Sequence, residues 1–166
     1  MKKMSVYITL LCLVFLLYPS YATGEEICNK EKAEQMIIEK LSPYGLEETV
    51  QKIVDNAKSE KWVVSDVKDL AKSIEKNGGE KVLPVKLIEL CNVEYSGKML
   101  KDDASRYASV MMPCTISVYE KSDGKIYVSF VNTKLIGQMF PGTVGEVMGG
   151  PVGEAQSRFL NFLDDK

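Results

Sequence analysis

Two runs in the second half of the chain, Thr115–Tyr119 and Ile126–Phe130, alternate polar with apolar side chains and are joined through Ser122-Asp123-Gly124. A period of two turns one side of each strand toward a core and the other toward water. The Asp-Gly pair supplies the positive φ angles that a tight hairpin needs. Such a hairpin cannot stand alone in water, so it demands further strands beside it and a layer packed on its apolar side.

The rest of the chain supplies both. Leu46, Val50, Ile53, Val54 and Ala57 recur at helical spacing and predict an amphipathic helix over 46–60. Val67, Leu70, Ala71 and Ile74 repeat on one helical face, with Asp66 as the expected cap and Asn77-Gly78-Gly79 as the stop. Strands are expected at Trp62-Val63-Val64 and over Val82–Leu90, a helix over Tyr95–Lys101, and a last amphipathic helix over Ala155–Leu163. Met36 to Leu41 reads either as the end of a helix capped by Asn29 or as a β-branched strand. The glycine-interrupted stretch from Gly137 to Gly153 is expected to be a flexible connector or a dimer-contact loop. The fold class is therefore α+β, a two-layer sandwich with a small β-sheet and helices mainly on one face.

The N-terminus belongs to a different layer of information. Lys2 and Lys3 precede an apolar run from Val6 to Tyr18, then Pro19 and the small residues Ser20 and Ala22, with no further charge before Glu25. These are the features of a secretory signal peptide over residues 1–22, cleaved after Ala22; the alternative is an uncleaved anchor. A polar lead-in, 23–35, and a single domain, 36–166, follow. The expected location is periplasmic or secreted, with no membrane span after cleavage. Cleavage removes two lysines and no acids, so the formal charge moves from −2 to −4, which gives no electrostatic footprint for nucleic acid.

The chain contains no histidine, which excludes Ser-His-Asp and Cys-His catalysis and His-ligated zinc or haem. Three cysteines lie beyond the signal: Cys28, Cys91 and Cys114. An odd number in an exported chain implies a free thiol, a ligand or an intermolecular bond. Cys91 ends one expected strand and Cys114 begins another, with Asn92, Met111 and Met112 as neighbours and Glu89 nearby. Thiolates and thioethers prefer soft centres; the bland alternative is a pair of small buried hydrophobes or a structural disulfide. A helical crossover between the two strands would run them parallel and hold the thiols apart, whereas an antiparallel return through the 101–110 loop would bring them close. Strand alternation allows at most one of Met111 and Met112 to share a site with Cys114. Glu89, Lys86, Asn92 and Asn132 read as strand-end polar groups, with Glu89 the one candidate proton acceptor. The glycines Gly142, Gly145, Gly149 and Gly150 match neither a phosphate loop nor a dinucleotide fingerprint.

Several separated pieces stand in an order that resembles the domain-of-unknown-function 302 family: Ser42-Pro43-Tyr44, Glu47-Glu48-Thr49-Val50, Val82-Leu83-Pro84-Val85-Lys86, Glu89-Leu90-Cys91-Asn92, Met112-Pro113-Cys114, Ser117-Val118-Tyr119-Glu120-Lys121 and Asp123-Gly124-Lys125. The resemblance implies a compact α+β fold, a first strand at Met36–Leu41 and assembly as a homodimer. It names no reaction. This chain departs from many relatives at Ser65-Asp66-Val67-Lys68, where histidines are common, and at Thr115, where arginine follows the cysteine.

Three functions are consistent with these residues. The first is an exported homodimeric binding module holding a small ligand, a soft metal or haem at Cys91 and Cys114, with Met112, Asn92 and Glu89 around them and cysteine or methionine as any haem ligand. The second is a thiol-based redox or sulfur-carrier protein, which the lack of a Cys-x-x-Cys motif disfavours. The third is an interaction domain with inert cysteines.

Overall fold

The computed structural model describes residues 36–164. The expected signal peptide, the cap at Asn29 and Cys28 lie outside the described residues. Five strands form one antiparallel sheet in the order β1-β5-β4-β3-β2. They are β1 (Ile37–Leu41), β2 (Val63–Asp69), β3 (Val85–Cys91), β4 (Cys114–Glu120) and β5 (Ile126–Val131). The hairpin read from alternation is β4–β5, in register from Ile116↔Phe130 to Glu120↔Ile126. Gly124 carries its turn at φ +72, a conformation that costs glycine little.

One face of the sheet is the core face. Ile88, Leu90, Ile116, Val118 and Val128 are buried there to 1 % exposure or less. Helix α1 (Leu46–Ser59) presses Val50, Ile53, Val54 and Ala57 onto it, the stripe that its spacing predicts. Thr49 joins the same stripe and is fully buried because its hydroxyl is spoken for: it donates to Gly45 O at 2.8 Å and lies 2.6 Å from Ser42 Oγ. Burial of a bonded hydroxyl costs little; an unbonded one would be expensive. The opposite face alternates outward and leaves Ile37, Leu41, Val63 and Val131 each more than a third exposed.

Met36–Leu41 resolves in favour of the strand, since Ile37 pairs with Val131 and Leu41 with Tyr127. Three expectations are corrected. Asp66 does not cap a helix: β2 continues past it, with an irregular register between Val64 and Asp66, and the cap of α2 (Leu70–Lys76) is Asp69, whose carboxylate accepts from Lys72 N. The strand expected from Val82 starts at Val85, and Val82 and Leu83 remain exposed. The glycine-interrupted stretch is not a loose connector. It folds into α4 (Thr133–Met139), α5 (Gly142–Val147), a π-helical turn (Met148–Val152) and α6 (Gly153–Phe159). Its glycines are contact points: a Cβ on Gly137 would lie 2.4 Å from Gly149 Cα, and one on Gly145 would lie 2.1 Å from Phe140 O. The chain then ends its core with Phe159, Leu160 and Leu163, all buried, the last in a short 3₁₀ turn, Asn161–Leu163.

Candidate functional site

Antiparallel pairing of β3 with β4 decides where the two cysteines lie. Leu90 stands opposite Cys114, so Cys91 is the diagonal neighbour of Cys114 across the ladder. Opposed residues are about 5 Å apart and one step along a strand adds about 3.4 Å, which puts the two Cα atoms about 6 Å apart. The parallel arrangement that would have separated them does not occur. Alternation alone would turn Cys91 away from Leu90, but the strand ends there. Its Sγ sits 3.2 Å from Ser96 Oγ on α3 (Val93–Lys101), the helix that follows.

Asn92 makes that reversal. Its side-chain oxygen accepts from Glu94 N at 3.1 Å and Tyr95 N at 3.2 Å, capping α3 at the first turn after the strand. The helix then carries Tyr95, Ser96 and buried Met99 back over the strand end. A hydrogen bond from Ser105 Oγ to Met99 O, 2.6 Å long and buried, ties the end of α3 to the next segment. There a 3₁₀ turn, Arg106–Met111, leads through Met112 and a cis Met112–Pro113 bond into β4 at Cys114. Trp62 closes one side, edge-on to Tyr95 at 6.2 Å and to Phe159 at 5.7 Å.

The result is a small cavity of about 20 Å³ with both thiols in its wall. Four of the six methionines among the described residues line it: Met99, Met111, Met112 and Met148. The expectation that only one of Met111 and Met112 would reach the site is corrected. Alternation applies within a strand, and Met111 instead ends a 3₁₀ turn while Met112 lies between that turn and β4. No lining residue carries a charge. Burial, with a smaller contribution from Cys91, pushes the Cys114 thiol up to about 11. Both cysteines are free thiols.

Glu89 is placed apart from this cavity. It pairs with Thr115 and Asp66 on the neighbouring strands, and its carboxylate takes an ion pair with Lys68 at 3.5 Å. Cys91, Cys114, Met112 and Asn92 come together; Glu89 does not. Met99, Met148, Trp62, Tyr95 and Ser96 belong to the site and were not among the sequence candidates. Met99 lies inside the expected helix Tyr95–Lys101, and nothing local ties Met148 to the cysteines.

A second, open groove of about 250 Å³ lies on the far side of Cys114. Met111, Pro113, Cys114 and Met148 border both spaces. Thr115 lines the groove, and so does Val110, which is 87 % exposed. Its polar side is Thr133 and Gln156, which bond to each other at 3.1 Å. Among the described residues, no three His, Cys, Asp or Glu side chains gather where they could hold a metal ion. The cavity lining itself is rich in sulfur, with two thiols and four thioethers.

The comparisons with known proteins agree with the fold. No curated protein matches the chain. It is similar to a crystal structure of an uncharacterized conserved DUF302 protein from Bacillus stearothermophilus, with a TM-score of 0.66 and 18 % identity over 77 % of this chain and 98 % of that one. Residues 38–161 match the family described as Domain of unknown function DUF302. With that match spanning most of its length, the chain belongs to the DUF302 family.

Proposed function

We propose that this protein is an exported binding module whose cavity between β3, α3 and β4 holds a soft, thiophilic metal ion. The observation that carries the reading is the convergence of two free thiols and four thioethers on one small, uncharged space. Sulfur donors of these two kinds favour soft centres over hard ones. The size points the same way, because about 20 Å³ accommodates one water-sized body. A bare ion fits such a space and a haem does not.

Native mass spectrometry of reduced protein titrated with Ag⁺ tests this. A redox-inert soft ion avoids oxidising the thiols, and Cys12 and Cys28 are replaced by serine so that only Cys91 and Cys114 report. One retained ion per chain, lost in the Cys91→Ser/Cys114→Ser double variant, is the expected result. Equal retention by the double variant would contradict the proposal.

A thiol-redox role is the second reading, favoured by the diagonal placement of Cys91 and Cys114. A Cα separation of about 6 Å lies within the span of a disulfide. The export signal over residues 1–22 supports a location outside the cytoplasm, where such a bond persists. Homodimerisation is supported by the uncovered sheet face, where Ile37, Leu41, Val63 and Val131 are exposed. Sedimentation equilibrium on the chain and on an Ile37→Lys/Val131→Lys variant separates dimer from monomer; a monomeric parent would remove this part of the proposal.

A further inference from the structure

Resting on the soft-ion reading, we infer that the cavity takes a monovalent ion of the Cu⁺ or Ag⁺ class, admitted from the open groove across Met111 and Met148. The donor inventory argues for the charge class. Cys91 and Cys114 are the only thiols among the lining groups, and every further sulfur is a neutral thioether. A divalent ion of the zinc type takes four ligands, drawn from thiolate, imidazole and carboxylate. Here the third and fourth places fall to thioethers, or to the hydroxyl and amide of Ser96 and Asn92. Thioether donors suit soft Cu⁺ and are poor partners for zinc. The small volume, about 20 Å³, also leaves little room for an ion that keeps a water shell.

The admission route follows from shared walls. Met111, Met148 and Cys114 line both the cavity and the groove of about 250 Å³. Met99 and Met112 border the cavity without bordering the groove. An ion entering by the groove meets Met111, Met148 and Cys114 before it reaches Cys91. It can exchange one sulfur ligand for the next without passing through an uncoordinated state. Thr133 and Gln156 on the opposite groove wall are bonded to each other and present no charge that would hold a divalent ion at the mouth.

The test is equilibrium dialysis of the reduced Cys12→Ser/Cys28→Ser chain against Ag⁺, Cd²⁺ and Zn²⁺, with stopped-flow loading of Ag⁺. Silver is expected at one ion per chain, with Cd²⁺ and Zn²⁺ at least about 100-fold weaker. Met111→Leu/Met148→Leu keeps apolar volume and is expected to slow loading and weaken Ag⁺ binding by about tenfold or more, the scale on which support around a metal acts. Met139→Leu, at an exposed methionine that borders neither space, is expected to leave the loading rate within threefold. Circular dichroism confirms that each variant is folded. Cadmium or zinc binding within tenfold of silver would overturn the charge class while leaving the soft-ion site standing. Unchanged loading in the Met111/Met148 variant would overturn the route. Binding of none of the three ions would instead overturn the site itself.

Discussion

Raising the pH, or offering an alkylating agent, interrogates the cavity through Cys114. Burial shifts this thiol from its ordinary 9.0 to about 11, with the neighbouring Cys91 adding to the effect. At pH 8 a shift of two units leaves about 100-fold less thiolate than in an exposed cysteine. Iodoacetamide labelling at pH 8, followed by peptide mapping, is therefore expected to modify Cys114 at least about 100-fold more slowly in the native protein than in guanidinium. Stability should follow the same shift. The unfolded thiol ionises first, so above about pH 9 the unfolded chain holds fewer protons than the native one and stability falls as pH rises. The contribution is intact below pH 9 and is lost by about pH 11, a change of about 2–3 kcal/mol. Tyr119, pushed up to about 12 by burial and by its bond to Glu39, adds a similar trend at higher pH. Urea denaturation at pH 8 and pH 10.5 should therefore be run beside Cys114→Ala. The variant should lose less stability across that interval than the parent does. Native labelling within threefold of the unfolded rate, or identical pH dependence in parent and variant, would refute the claim that burial holds Cys114 as a neutral thiol.

Other perturbations test the frame that holds the site. Gly145→Ala places a methyl about where Phe140 O already sits, 2.1 Å away, and should cost more than about 3 kcal/mol in urea denaturation. Ile88→Ala empties a fully buried position on β3 and should cost about 2–5 kcal/mol by the same assay. Thr49→Val conserves shape but deprives buried Ser42 of its hydroxyl partner; a loss of about 1–3 kcal/mol is expected, read as a fall in Tm.

The parts of this fold legible in the sequence are those whose causes are local. Alternation around Asp123-Gly124 identifies β4–β5, and the spacing of Val50, Ile53, Val54 and Ala57 identifies α1. Tertiary causes hid the rest. Gly137 and Gly149 lie twelve positions apart and meet as backbones, a reason for glycine that a linear reading mistakes for looseness. Asp66 reads as a cap in the sequence, and only pairing with β3 shows that the strand runs through it to Asp69. The site was half legible for the same reason. Cys91, Asn92, Met112 and Cys114 sit at strand ends, where chemistry gathers, but Met99 comes from a helix and Met148 from a glycine-rich turn. Neither residue's own neighbours in sequence point to a thiol. Their meeting is a property of the folded chain.

The central claim is that this cavity holds its ion through sulfur. X-ray absorption at the copper edge, on reduced protein loaded with one Cu⁺ per chain and with Cys12 and Cys28 replaced by serine, measures it directly. A first shell composed only of sulfur, reduced in number by Met111→Leu/Met148→Leu and abolished by Cys91→Ser/Cys114→Ser, is the result expected. A shell of nitrogen or oxygen, or one unchanged when the two cysteines are removed, would contradict it.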